Sequence, residues 1–228
     1  MLLAIDTSSA QIGLALYDGT QVPGELFWRS GLHHTQELAP ALDDLLRRVE
    51  MKIDAIAALG VALGPGSFTS LRVGLAFAKG LALARHIPLI GVPTLDVVAA
   101  AVPCPDLSTS SRQRLAAVVQ AGRGRLALGW YKASPSGWQA EGSATLTTAE
   151  ELSARVHKPV FICGELSPSD RRQLVRKFKN VILASPAECV RRPGLLAELA
   201  WRKWKAGQTD PAISLAPIYL HLAEGIPA

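Results

Sequence analysis

The stretch from Leu63 to Ala84, LGPGSFTSLRVGLAFAKGLALA, constrains the fold more than any other part of the chain. An apolar run from Ile56 to Leu63 ends in Gly64-Pro65-Gly66-Ser67, and after Thr69-Ser70 the spacing predicts a long helix of small residues. The two glycines allow a backbone path closed to other residues, Pro65 sets one φ, and the hydroxyls of Ser67, Thr69 and Ser70 can cap the helix that follows. A spacing of four puts Gly74, Ala78 and Ala82 in one row and Ala76, Gly80 and Ala84 in another. Rows of small side chains let a second helix come close. The remaining elements can be arranged around this strand, turn and helix.

With 228 residues, 49% of them hydrophobic, and a mean hydropathy of +0.21, the chain can bury a core as one large domain or two small ones. The longest apolar run, Val73 to Ala84, is interrupted by Lys79 and falls short of the roughly 20 residues a bilayer crossing needs, so it reads as a buried helix and no membrane role is expected. Met1 leads straight into an apolar strand with no basic region or small-residue cleavage site, so no signal peptide is expected. Cys104, Cys163 and Cys189 are far apart in the chain and form no CxxC pair, which argues against a disulfide framework or a zinc finger. A reducing, cytoplasmic setting is the expectation.

The net charge of +5 is uneven: residues 1–100 carry seven Lys/Arg against nine Asp/Glu, and residues 101–228 carry seventeen against ten. The clusters Arg171-Arg172, Arg176-Lys177-Lys179, Arg191-Arg192 and Arg202-Lys203-Lys205 could attract a polyanion such as RNA. No binding motif accompanies them, so solvated helix faces are the preferred reading.

Leu2 to Ile5, Gln11 to Tyr17 and Gly24 to Arg29 read as strands that open the chain with a hairpin. Leu38, Leu42, Leu45, Leu46 and Val49 share one face of a helix with Thr35 as its N-cap. Asp54 to Leu63 is predicted as a strand into the glycine turn, Pro88 to Val92 as another, and Leu95 to Val102 as a short helix. The run Pro103 to Ser111 swaps apolar periodicity for prolines and hydroxyls and marks a boundary. Strands then begin again at Leu115 to Gln120, Arg125 to Lys132 and Gln139 to Ala144. Thr148 and Glu151 have capping-box spacing, Pro159 to Cys163 and Val181 to Leu183 are strands, and Ser169 to Phe178 and Gly194 to Ala206 are helices. The apolar tail from Pro211 to Leu220 should pack back on one of the halves. Two successive blocks of this kind suggest a duplicated α/β architecture, with residues 1–102 as a first lobe, 103–206 as a second and 207–228 as a tail.

Asp6-Thr7-Ser8 after the first strand, the helix of His34 to Arg48, the run Gly64-Pro65-Gly66-Ser67-Phe68-Thr69-Ser70-Leu71-Arg72-Val73-Gly74, and Gly91-Val92-Pro93-Thr94-Leu95 together resemble the TsaB (YeaZ) family. The resemblance covers most of the first hundred residues. It implies a two-lobed actin-like ATPase/sugar-kinase (ASKHA) fold, each lobe a mixed sheet with flanking helices. It further implies a non-catalytic scaffold or activator that binds the catalytic paralogue TsaD and contacts the ATPase TsaE, for threonylcarbamoyl modification of the tRNA adenosine beside the anticodon. On that resemblance, tRNA is met only through the complex, and the chain can form a homodimer when alone. The two helices that family members use for the partner match His34 to Arg48 and Ser70 to Arg85, so the expected interface residues are His34, Leu38, Leu42, Leu45, Ser70, Leu71, Gly74, Ala78 and Ala82. The chain departs from the family at Ser70, where Gly is more usual, and at Gln120-Ala121-Gly122-Arg123, where relatives commonly carry Asp-Ala-Arg.

A metal transferase or hydrolase would present two histidines one helical turn apart. The close pair here, His33-His34, is adjacent, and neighbours on a helix point about 100° apart. No metal site and no enzyme activity of its own are expected. Asp6, Thr7, Ser8, Ser67, Thr69 and Arg72 form the candidate nucleotide-binding set, with Asp6 able to hold a hydrated Mg²⁺ or simply to stabilise its turn. The glycine turn lacks the Gly-Lys-Ser/Thr ending of a P-loop, so a structural turn that aims the helix is preferred over a phosphate cradle. No cofactor is required on this reading, and ATP or ADP with Mg would enter only at a site shared with the partner. The alternative is an ATP-dependent kinase or phosphotransferase using Asp6, and a third reading is direct tRNA binding by the basic clusters.

Overall fold

A first strand that is apolar on both faces sets the layering of the molecule, because successive side chains of a strand point to opposite faces. In the computed structural model, which describes residues 1–31, 33–105, 114–176 and 179–220, Leu3 and Ile5 of β1 (Leu2–Asp6) face one core and Leu2 and Ala4 face another. Most of the predicted boundary at 103–111 lies outside the described residues, as do Lys177, Phe178 and His221.

The first lobe continues with β2 (Gln11–Tyr17), β3 (Gly24–Arg29), α1 (His34–Arg48), β4 (Ala58–Ala62), α2 (Phe68–Arg85), β5 (Leu89–Val92) and α3 (Thr94–Ala100). Its sheet has the order β3-β2-β1-β4-β5, antiparallel across β1, β2 and β3 and parallel across β1, β4 and β5. The second lobe comprises β6 (Arg114–Gln120), β7 (Leu126–Ser134), β8 (Gly137–Ala140), β9 (Thr145–Thr147), α4 (Ala149–Arg155), β10 (Val160–Gly164), α5 (Pro168–Val175), β11 (Val181–Leu183) and α6 (Pro193–Lys205). Its main path, β11-β10-β6-β7-β8, repeats the first order element for element. The chain therefore has the two-lobed actin-like ATPase/sugar-kinase fold, each lobe a mixed sheet with flanking helices.

Four local expectations give way. The strand predicted over Asp54 to Leu63 begins only at Ala58, after a 3₁₀ turn at Ile53–Ala55. The strand predicted over Gln139 to Ala144 is two short ones, β8 and β9, both paired with β7. The capping box of Thr148 and Glu151 is present, but Thr35 lies inside α1, and Ser67 stands at the N-cap of α2 without a side-chain cap, its oxygen instead accepting from the Ser70 hydroxyl at 3.0 Å.

Sequence order and packing part company at two helices. Leu95, Val98 and Ala99 of α3 pack with Leu115, Ala117 and Val119 of the second sheet, whereas Leu196, Ala197 and Ala200 of α6 pack with Leu2, Ala4 and Ala58 of the first. Each lobe thus lends a helix to the other, and α6 does not belong with the second lobe where the boundaries at 103 and 206 put it. Tyr131 of β7 donates to Asp96 of α3 at 2.6 Å at this exchange. The tail returns to both lobes, Ala212 and Leu215 packing on the first and Leu220 on the second.

The small residues make these close approaches possible. A Cβ on Gly60 would fall 2.6 Å from the Ala200 Cβ, so α6 lies against β4 with no room for a methyl group. Gly60→Ala should therefore destabilise the chain by about 1–3 kcal/mol in urea unfolding. Gly80, mid-helix in α2 with nothing near its Cβ position, gives the opposite sign: Gly80→Ala should stabilise by about 0.5–1 kcal/mol. Equal effects of the two would refute this account of the packing.

Candidate functional site

β1 ends at Asp6, whose Oδ1 accepts from the Ser8 amide at 2.8 Å and the Ser8 hydroxyl at 2.6 Å, closing a tight turn. The glycine turn lies directly on this one: the Ser67 amide donates to Ser8 O at 2.8 Å, and a Cβ on Gly66 would sit 1.9 Å from that same oxygen. Thr7 Oγ1 donates to Ser70 O at 2.7 Å, and a Cβ on Gly74 would meet Thr7 Oγ1 at 2.1 Å. The first turn of α2 is thus held against the end of β1 by contacts of the Ser8 backbone and the Thr7 side chain that admit no larger residue at Gly66 or Gly74.

On the other side of the cleft, Gly164 at the end of β10 has φ +126°, and a Cβ there would strike Val118 O at 1.9 Å. Only glycine satisfies both conditions. Glu165 follows it and is brought to the cleft floor. Between Asp6 and Glu165 lies Arg191, its side chain 1% exposed. Its Nε donates to Asp6 Oδ2 at 2.5 Å, its Nη1 to Glu165 Oε1 at 2.5 Å and its Nη2 to Ser9 Oγ at 3.0 Å. Ser9 Oγ in turn donates to Glu165 Oε1 at 2.6 Å. Burial works against the charged guanidinium, but the Asp6 and Glu165 carboxylates outweigh it and hold Arg191 above the ordinary arginine range. Arg191 is placed by topology, since it ends the loop that carries the chain from the second lobe back to Pro193 and α6 on the first sheet.

Gln120 adjoins this triad. Its Nε2 donates to Glu165 O at 3.3 Å and to Asp170 Oδ2 at 3.0 Å. An aspartate here would add a third carboxylate beside Glu165 and Asp170, whereas the amide supplies donors. The cleft around these residues has a volume of about 1430 Å³ and is also lined by Arg125, Arg171, Cys189 and Tyr219.

Of the candidate nucleotide set, Asp6 is engaged by Arg191 and Ser8, Thr7 by Ser70, and Ser67 by Ser70 and Ser8. Thr69 and Arg72 point outward, Arg72 lying 4.1 Å over the Phe68 ring and donating to Tyr219 Oη at 3.2 Å. Every expected interface residue, His34, Leu38, Leu42, Leu45, Ser70, Leu71, Gly74, Ala78 and Ala82, is buried inside the first lobe. The apolar stripe faces the lobe's own sheet, and the ring of His34 is hydrogen-bonded to Ser9 O at 3.0 Å. α2 is not a wholly buried helix either, since Phe68 and Leu83 are each 53% exposed. Its outward side and that of α1 enclose a second hollow of about 510 Å³, lined by Thr35, Ala39, Val73, Ala76 and Phe77 among others, and His34 and Leu38 of the expected interface set stand at its floor.

The basic clusters are largely engaged. Arg192 pairs with Glu25, Arg202 with Glu198, and Lys203 donates to Gly91 O at 2.6 Å. The role of Arg191 was not visible in the pattern Arg191-Arg192, although one signal was there: two cations immediately before Pro193-Gly194 stand at a helix N-terminus, where the dipole disfavours positive charge unless carboxylates compensate it. His33 is exposed while His34 is buried, and no group of three or more His, Cys, Asp or Glu among the described residues could hold a metal ion.

Residues 29–162 match the family described as TsaD, tRNA N6-adenosine threonylcarbamoyltransferase. The tRNA threonylcarbamoyladenosine biosynthesis protein TsaB of Escherichia coli strain K12 is 31% identical over 158 residues, which span 69% of this chain and 66% of that one. TsaB of Bacillus subtilis strain 168 is 28% identical over 98% of this chain and 95% of that one. The chain belongs to the TsaB (YeaZ) family. Similarity to a TsaD transferase, that of Nitratidesulfovibrio vulgaris strain DP4, is 37% over 107 residues, but it reaches only 40% of this chain and 30% of that one. The fold is that of YeaZ from Pseudomonas aeruginosa, with a TM-score of 0.74, 24% identity and coverage of 96% of this chain and 99% of that one.

If Arg191 is the counter-ion that makes this cleft stable, Arg191→Met should cost about 3–5 kcal/mol in chemical unfolding, because two carboxylates are left without their cation. The triple variant Asp6→Asn, Glu165→Gln, Arg191→Met should recover a large part of that loss. A triple variant no more stable than Arg191→Met would show that the carboxylates are not what Arg191 compensates.

Proposed function

We propose that this chain is a non-catalytic subunit in tRNA threonylcarbamoyladenosine biosynthesis that works by binding a TsaD-like catalytic paralogue. Its TsaB relatives carry that pathway in their names. The observation that carries the non-catalytic reading is Arg191: its guanidinium occupies the space between Asp6 and Glu165 where an actin-like enzyme would need a carboxylate free for hydrated Mg²⁺. An ATP-dependent kinase or phosphotransferase using Asp6 would first have to displace a buried, doubly paired arginine.

The partner, in this reading, docks on the outward faces of α1 and α2 and covers the hollow lined by Val73, Ala76 and Phe77. Self-association of the free chain would use the same surface. A TsaE-like ATPase joins the assembled pair, tRNA is met through the complex, and any nucleotide enters at a site shared with the partner beside Thr69 and Arg72.

Ala76→Arg places a charge in this hollow without touching the core, so it should weaken binding to TsaD from the same organism by about 100-fold in calorimetry while leaving the unfolding midpoint unchanged. Val175→Arg, on an exposed part of α5 in the second lobe and outside both hollows, serves as the control and should bind as the parent does. Undiminished binding by Ala76→Arg would overturn the docking surface. ATP turnover by the purified chain, lost in Asp6→Ala, would favour the phosphotransferase reading instead.

A further inference from the structure

Cys163 and Cys189, 26 residues apart in the chain, converge at the wall of the interlobe cleft. Cys163 is the fully buried penultimate residue of β10, and its thiol donates at 3.5 Å to Glu188 O, the carbonyl that immediately precedes Cys189. Cys189 is half-buried and lines the cleft. Its sulfur also receives the Gly164 amide at 3.4 Å and Arg171 Nη2 at 3.1 Å, while Arg171 Nη1 holds Ala184 O at 3.0 Å and so fixes the guanidinium in place. A sulfur met by an amide and a guanidinium has the surroundings of a stabilised thiolate, and the second cysteine immediately precedes the residue that supplies that amide.

We propose that Cys189 is a site of reversible oxidation by peroxide, with Cys163 as its resolving thiol. In the first step the Cys189 thiolate attacks a peroxide oxygen: an S–O bond forms, the O–O bond breaks, Cys189 is oxidised to the sulfenic acid, and the leaving hydroxide is protonated to water. In the second step the Cys163 sulfur attacks the Cys189 sulfur: an S–S bond forms, the S–O bond breaks, and the Cys163 proton leaves with the hydroxide as water. The sum is two thiols and one peroxide giving one disulfide and two waters. Dithiol exchange returns both cysteines to the free thiols of this structure.

The charged and titratable groups facing Cys189 are Arg171 from α5, Cys163 from β10, and Glu188 beside it. The hydrogen bond from Cys163 draws the Cys189 thiol down, burial opposes this, and the Gly164 amide and Arg171 add to it, for a value of about 6. The neighbouring Cys189 and burial push the Cys163 thiol well up, so Cys163 stays protonated while Cys189 is the thiolate and attacks only once oxidation of Cys189 has removed that charge.

The position gives the oxidation a consequence. Glu165 is two residues beyond Cys163 and Arg191 two beyond Cys189, and these two are joined at 2.5 Å. The disulfide would therefore tie together the same two backbone segments that the Arg191–Glu165 pair already joins, and would fix the Arg191 loop to the end of β10. This inference does not depend on the proposed partner.

The test uses the full reduced chain. At about pH 6, where an ordinary thiol is almost wholly protonated, iodoacetamide should label Cys189 about tenfold faster than Cys104, and the lead should close as pH rises. Hydrogen peroxide should give a Cys163–Cys189 linked peptide that dithiothreitol dissolves. In Cys163→Ser the same treatment should leave a dimedone-reactive sulfenic acid at Cys189. Arg171→Gln should slow Cys189 labelling several-fold, and Arg171→Lys should restore most of the rate. Labelling of Cys104 as fast as Cys189 in the unmodified chain, or no linked peptide after peroxide, would overturn the proposal whatever the variants do.

Discussion

A guanidinium removed from water carries a desolvation cost of several kcal/mol, which only well-placed carboxylates can offset. Arg191 is removed almost completely and meets one carboxylate from each lobe, Asp6 at the end of β1 and Glu165 at the end of β10. The interaction is therefore more than a local contact. If the lobes were to part by even a hydrogen-bond length, one of three charges would be left buried without a partner. This requirement opposes parting of the lobes, and the carboxylate at the end of the first strand already has its cation.

The exchange of helices between lobes explains why such a clamp can be built from residues 185 positions apart. The chain must cross from β11 to α6 over the cleft in order to seat Leu196, Ala197 and Ala200 on the first sheet. Arg191 lies on that crossing. Had α6 packed on the second sheet, the loop would have stayed on one lobe and no residue in it could have spanned Asp6 and Glu165. The small residues of β4 and α6, Gly60 and Ala200, set how closely the returning helix lies and hence where the crossing ends.

Much of the fold was legible because it is written locally. Strand alternation, the opening hairpin, the turn residues and the capping box of Thr148 and Glu151 each involve neighbours in sequence, and all are present. The duplicated order of the two lobes followed from repeating the same local units. The site was legible only in part. Asp6, Thr7 and Ser8 form the polar turn after the first strand, buried behind the cleft wall, and Gly74, Ala78 and Ala82, read as partner-facing, are small where they meet Thr7 and the first lobe's core. A row of small residues states that something comes close without stating what. The convergence of Cys163 and Cys189, and the pairing of Arg191, depend on tertiary crossings that leave no periodic trace.

The cleft and the outer hollow are not independent surfaces. Phe68 and Thr69 border both, and the Tyr219 ring packs 4.9 Å from the Phe68 ring while its hydroxyl receives Arg72. The tail is anchored behind them by the Ile218 amide on Leu63 O at 2.7 Å, and the first turn of α2 is anchored by Thr7 on Ser70. Any molecule that covers Thr69, Arg72 and Phe68 from outside therefore presses on the turn that contacts Asp6's own loop from inside. The two turns meet through the Ser67 amide on Ser8 O and the Thr7 hydroxyl on Ser70 O, with no methyl-sized gap at Gly66 or Gly74. The outer hollow and the cleft thus share one wall, a tightly packed piece a few residues long.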